Sequence, residues 1–130
     1  MPQFPHTPER ERTLSRTPDY AVKITRVSAP VTVACGGTEI ARSTNALLVE
    51  ETRHDPAYYL PAADVTMDHF TATDHATFCP FKGHASYWTL ALPDQREENV
   101  VWSYQDPYSE VEELKDYLSF YTNRTQVAAT

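Results

Sequence analysis

From Val22 onward the chain divides into short β-branched pieces with apolar side chains at every second place, a period that suits a half-buried strand and not a helix. Val22-Lys23-Ile24-Thr25-Arg26-Val27 and Val31-Thr32-Val33-Ala34-Cys35 both read this way, and in the second Val31, Val33 and Cys35 share one face. Gly36-Gly37 supplies the positive backbone dihedrals of a two-residue hairpin, which returns the chain through Thr38-Glu39-Ile40-Ala41-Arg42. Residues 45–51 are short and have Pro56 and Pro61 nearby, which favours a strand over a helix. Tyr58-Tyr59-Leu60-Pro61 is extended, because a proline pushes the residue before it out of the helical region. Residues 65–70 alternate again, with Val65 and Met67 inward. In 86–92, Trp88, Leu90 and Leu92 oppose Tyr87, Thr89 and Ala91, so both faces carry bulk and the strand is central. Residues 93–99 read as a charged turn to Val100-Val101-Trp102-Ser103-Tyr104, closing a hairpin.

One helix is expected, over about 110–122. Ser109 with Glu112 three places on has the form of a capping box, and Glu110, Glu112 and Glu113 complement the positive helix end. Val111, Leu114, Leu118 and Tyr121 then repeat at near-helical spacing. Residues 1–19 hold four prolines and mixed charge, the composition of a flexible arm, and 125–130 are expected to fray. The expected fold is mainly β (a β-rich α+β chain): a single domain over 20–124 with one C-terminal helix.

A chain of 130 residues buries about two-thirds of its unfolded surface and needs no staples. Its formal charge of -7, with acidic residues gathered over 94–116, lacks the footprint of a nucleic-acid partner. Two cysteines, no apolar run long enough to span a bilayer and no signal-peptide pattern favour a reduced, cytoplasmic protein with no membrane partner.

The chemistry-bearing residues crowd into 75–88, where a thiol, an amine, a permissive glycine and two large rings fall between a polar loop and a strand. Cys79 lies three residues from Lys82, whose ammonium would favour the nucleophilic thiolate; the other reading is a small apolar side chain. Lys82-Gly83 suits an anion contact or an ordinary turn. His75, Cys79, His84 and Cys35 are zinc-ligand types, but no Cys-x-x-Cys pair exists, so no metal and no other cofactor is expected. Tyr58, Tyr59, Tyr87, Trp102 and Tyr104 could form one aromatic wall for a small, partly apolar ligand, or could be core. Asp64 reads as a turn residue after Pro61. There is no Ser-His-Asp order, Walker loop or dinucleotide fingerprint.

Tyr58-Tyr59-Leu60-Pro61-Ala62-Ala63-Asp64-Val65, Cys79-Pro80-Phe81-Lys82-Gly83, Ala85-Ser86-Tyr87-Trp88 and Trp102-Ser103-Tyr104 with Pro107, in that order, resemble the domain-of-unknown-function family 427, also labelled nucleotidyltransferase-like. The resemblance covers about Val31 to Arg124. It implies a β-tent architecture of the Mss4-like kind, two antiparallel sheets meeting at an angle, and motif positions at Tyr58, Tyr59, Asp64, Cys79, Lys82, Gly83, Tyr87, Trp102 and Tyr104.

The functional expectation is a pocket protein, monomer or homodimer, for an unknown small molecule. Tyr58, Tyr59, Asp64, Tyr87, Trp102 and Tyr104 form the site, and Lys82 orients an anionic or carbonyl group. The alternatives are an enzyme acting through Cys79 or a tyrosine with Lys82, a nucleotidyltransferase-like activity, and an interaction module that uses the arm and the acidic helix face.

Overall fold

The computed structural model describes residues 19–129. Where the alternation is cleanest the strands form as expected: β1 (Val22–Val27), β2 (Val31–Cys35), β3 (Thr38–Ser43), β4 (Ala46–Glu51) and β5 (Ala57–Pro61). Then come β6 (Phe70–Cys79), β7 (Gly83–Leu92), β8 (Gln95–Ser103), β9 (Tyr117–Phe120) and β10 (Gln126–Ala129). They make two antiparallel sheets, a seven-stranded one in the order β1-β4-β5-β9-β8-β7-β6 and a three-stranded one in the order β10-β2-β3. Among the described residues no helix is long and apolar enough to cross a membrane.

The large sheet buries both faces. On one, Leu60, Leu90, Val100, Val101, Leu118 and Phe120 pack against Val31, Val33 and Ile40 of the small sheet. On the other, Leu47, Val49, Tyr59, Ala85, Tyr87 and Tyr104 pack with Val111 and Leu114. The small sheet is pinned at its hairpin, where the Cys35 thiol, pushed up by burial and by nearby Glu97, stays protonated and donates to Gln95 Oε1 at 3.5 Å. Gln95 Nε2 donates back to the Cys35 carbonyl at 3.0 Å. Gly36 is required there twice over: its φ is +55°, and a Cβ would lie 2.2 Å from Gln95 Nε2.

The expected C-terminal helix is absent. Ser109–Leu114 form 3-10 turns interrupted at Val111, whose φ of -131° and ψ of 33° are not helical, and Asp116 at φ +63° turns the chain into β9. Val111 and Leu114 are three apart, which suits a 3-10 repeat as well as an α-helical one. Leu118 and Phe120 continue on a strand period instead. No capping box forms, since Ser109 Oγ donates to Glu110 at 3.1 Å and the residue at the cap position, Tyr108, makes no side-chain cap hydrogen bond. Residues 126–129, expected to fray, pair with β2.

Two other expectations fail for local reasons. Residues 65–69 are not a strand: Ala62–Asp64 and Met67–His69 are 3-10 turns, and Val65 keeps only an isolated bridge to Ala41. The polar loop before Cys79 is the long strand β6, and the charged turn at 93–99 shrinks to Pro93-Asp94, with Gln95–Asn99 running in β8. Both hairpin arms extend past the core, so polar side chains sit on strands whose outer positions face water. The expected arm at 1–19 lies outside the described residues except for its last residue, Asp19, whose carboxylate accepts from Arg53 at 3.0 Å.

The two roles of 109–120 separate by mutation. Leu114→Ala, at a fully buried site, is expected to cost about 2–5 kcal/mol in denaturant unfolding. Ser109→Ala should cost well under the ~1 kcal/mol of a true helix cap.

Candidate functional site

Cross-strand register builds the site from one row of residues. Tyr59 of β5 faces Ser119 of β9, Ser119 faces Trp102 of β8, and Trp102 faces Tyr87 of β7. Directly paired residues share a face, so three large rings and one small serine stand in line on the same side of the sheet. The serine leaves room for Trp102 Nε1 to donate across it to Tyr59 Oη at 3.1 Å, with the two rings edge to face. Tyr87 Oη is 2.9 Å from Thr77 Oγ1 of β6. Burial pushes the hydroxyls of Tyr59 and Tyr104 above the ordinary tyrosine range, so both stay neutral at physiological pH. Burial and a hydrogen bond with Tyr87 push Tyr121 up to about 12.

The row is roofed by an ion pair. Lys82, in the turn between β6 and β7, donates from Nζ to Glu51 Oε1 at the end of β4; their side chains are 7% and 12% exposed. Tyr20 donates to the other Glu51 oxygen and stacks on Phe81 with ring centroids 3.7 Å apart. Lys82 Nζ also lies 5.5 Å from the centroid of Tyr104. Burial raises the Glu51 pKa, but the Lys82 and Tyr20 hydrogen bonds and the ammonium charge outweigh it and leave the carboxyl below its ordinary value. Strands β5, β9 and β8 lie between β4 and β7. On a flat sheet those four spacings amount to roughly 19 Å. Contact between Glu51 and Lys82 therefore requires the sheet to curl toward this face.

Inside the curl is a cleft of about 540 Å³, walled by Tyr59, Tyr87, Trp102, Tyr104 and Tyr121, with Glu51 and Lys82 in its wall and His54 and Asp55 also lining it. That volume is ordinary for a small-molecule site. Of the expected residues, Tyr59, Tyr87, Trp102, Tyr104 and Lys82 come together here. Tyr58 packs on the opposite core, because neighbours on a strand point to opposite faces. Asp64 does not line the cleft; its carboxylate accepts from Ser43 Oγ at 2.6 Å and fastens the 62–64 turn to β3. Cys79 packs against the cluster containing Tyr59 and Tyr104 and is not among the lining residues.

A family model described as Domain of unknown function (DUF427) matches residues 23–130. The chain belongs to the DUF427 family. No curated protein matches it. In this DUF427 domain sequence reading missed Glu51, its donor Tyr20, and the lining residues His54, Asp55 and Tyr121; of these, Glu51 matters most to the site's geometry. Its signal was present in the alternation of Leu47, Val49 and Glu51, which carries a carboxylate onto the inward face of β4. Among the described residues no group of three or more His, Cys, Asp and Glu converges as a metal site would require.

The pair is expected to act on stability as a unit. Glu51→Ala strands a buried ammonium and should cost up to about 3–5 kcal/mol, while Glu51→Leu with Lys82→Met should recover most of the loss. Because the native Glu51 pKa lies below the unfolded value near 4.5, its contribution is full above that pH and fades as pH falls through the native value. Unfolding midpoints of wild type and Glu51→Gln should accordingly differ at pH 7 and converge in acid.

Proposed function

We propose that this domain binds a small, partly apolar molecule in the cleft beneath the Glu51–Lys82 pair. The observation that carries the reading is the row Tyr59-Ser119-Trp102-Tyr87, which gathers rings from three strands of the large sheet along a recess of about 540 Å³. Rings with polar tips and a few polar groups in the lining suit a ligand with a flat or compact apolar body. Binding is favoured over nucleophilic catalysis, because the half-buried Cys79 packs against the aromatic cluster without lining the cleft and the Lys82 ammonium is held by a carboxylate. The angled β-tent arrangement belongs to the same reading. It is supported by the packing of the three-stranded sheet on one face of the curled sheet, which leaves the other face for the ligand.

A panel of soluble aromatic and branched aliphatic fragments, titrated while the Trp102 indole N–H is followed by NMR, tests this. Fragments should shift that resonance at millimolar concentrations or below. Trp102→Phe serves to assign the signal, and Tyr104→Ala should weaken binding about tenfold or more. Retention of full fragment affinity in Tyr104→Ala would rule out the cleft as the binding place.

A further inference from the structure

The charge balance of the cleft selects the charge of its ligand, and this step rests on the binding reading above. Two carboxylates, Glu51 and Asp55, line the cleft together with a single lysine, Lys82, and one imidazole, His54, which lies edge-on to the Tyr20 ring. The lysine's charge is already spent: its ammonium donates to Glu51, lies by the Tyr104 ring and is almost wholly covered. An arriving anion would have to take Lys82 away from Glu51 and leave that carboxylate buried with only Tyr20 as donor. Asp55, by contrast, is exposed, and no ion pair is formed by it among the described residues.

The remaining wall is electron-rich. Tyr59, Tyr87, Trp102, Tyr104 and Tyr121 line the recess, and one of these rings, Tyr104, already holds an ammonium, that of Lys82, over its face, as the ring quadrupole favours. The chain as a whole carries a formal charge of -7, whose field concentrates cations and repels anions.

We infer that the cleft takes an organic cation, a compact ammonium group with an apolar body, and not the anionic ligand that the Cys-Pro-Phe-Lys-Gly turn suggests in sequence. The ammonium sits against the rings with Asp55 as its counter-charge, while Lys82 stays in the wall with Glu51.

Shape and charge are separated by three isosteres titrated into the full chain with the Trp102 indole N–H as reporter: choline, uncharged 3,3-dimethyl-1-butanol and anionic 3,3-dimethylbutyrate. Choline is expected to bind at least about fivefold more tightly than the alcohol, within the range of a cation over aromatic faces. The butyrate should bind more weakly than the alcohol. Asp55→Asn, at an exposed position, should lower choline affinity more than alcohol affinity and so shrink the choline preference at least about twofold. Equal binding of choline and alcohol, both lost in Tyr104→Ala, would overturn the cation assignment while leaving a neutral pocket in place. Tighter butyrate binding would overturn it in favour of Lys82 as an anion contact. No response to any of the three, with fragments of the wider panel still binding, would also overturn it; no response to either set would remove the binding reading as well.

Discussion

A buried positive charge with a matched carboxylate is the constraint on which this molecule turns. Glu51 ends β4 and Lys82 sits in the turn joining β6 to β7, near opposite margins of a seven-stranded sheet, yet they meet. Desolvating both groups costs several kcal/mol each, offset only when geometry and further hydrogen bonds are good. Here the Tyr20 hydroxyl fills the second carboxylate oxygen, the Phe81–Tyr20 stack covers the pair, and the Tyr104 ring lies beneath the ammonium. The sheet remains open, but the pair holds its margins toward one another over a single face.

That curl explains why one face is core throughout and the other also opens into a recess. The side toward β2 and β3 is filled by aliphatic residues from both sheets, with Val31, Val33, Ile40, Leu60 and Val100 fully buried. The opposite side carries the second core, in which Tyr59, Tyr87 and Tyr104 are buried with Leu47, Val49, Val111 and Leu114, and the cleft opens beside it. Ser119, buried between Trp102 and Tyr59, donates its hydroxyl to the Tyr58 carbonyl at 2.9 Å, and a bulky residue there would separate the two rings.

The strands with unbroken alternation and clear punctuation were legible: β1 to β5, the Gly36-Gly37 turn and the extended Tyr58–Pro61 segment all follow from residue order. The segment 109–120 was not, because Val111, Leu114, Leu118 and Tyr121 fit a helical stripe in one dimension, whereas Asp116 reverses the backbone between Leu114 and Leu118. Aspartate tolerates a left-handed conformation better than most residues, but the flanking Lys115 and Tyr117 do not mark this one for it. The same limit applies to the site. The aromatic residues could be named, but separating Tyr59 from Tyr58 needs the strand's facing. Glu51 acquires its role only from a curvature set by residues some thirty positions away.

The placement of β9 has a consequence for how the chain assembles. Strands β1, β4 and β5 arise from residues 22–61, and β6, β7 and β8 form a consecutive meander over 70–103, so each group can pair early through nearby sequence. The piece that joins them, Tyr117–Phe120, is translated after both. Until it inserts, β5 and β8 each present an unsatisfied strand margin, an invitation to intermolecular pairing. The domain thus folds like a garment with its zip sewn in last, and its most aggregation-prone interval on the ribosome is the one just before those four residues emerge.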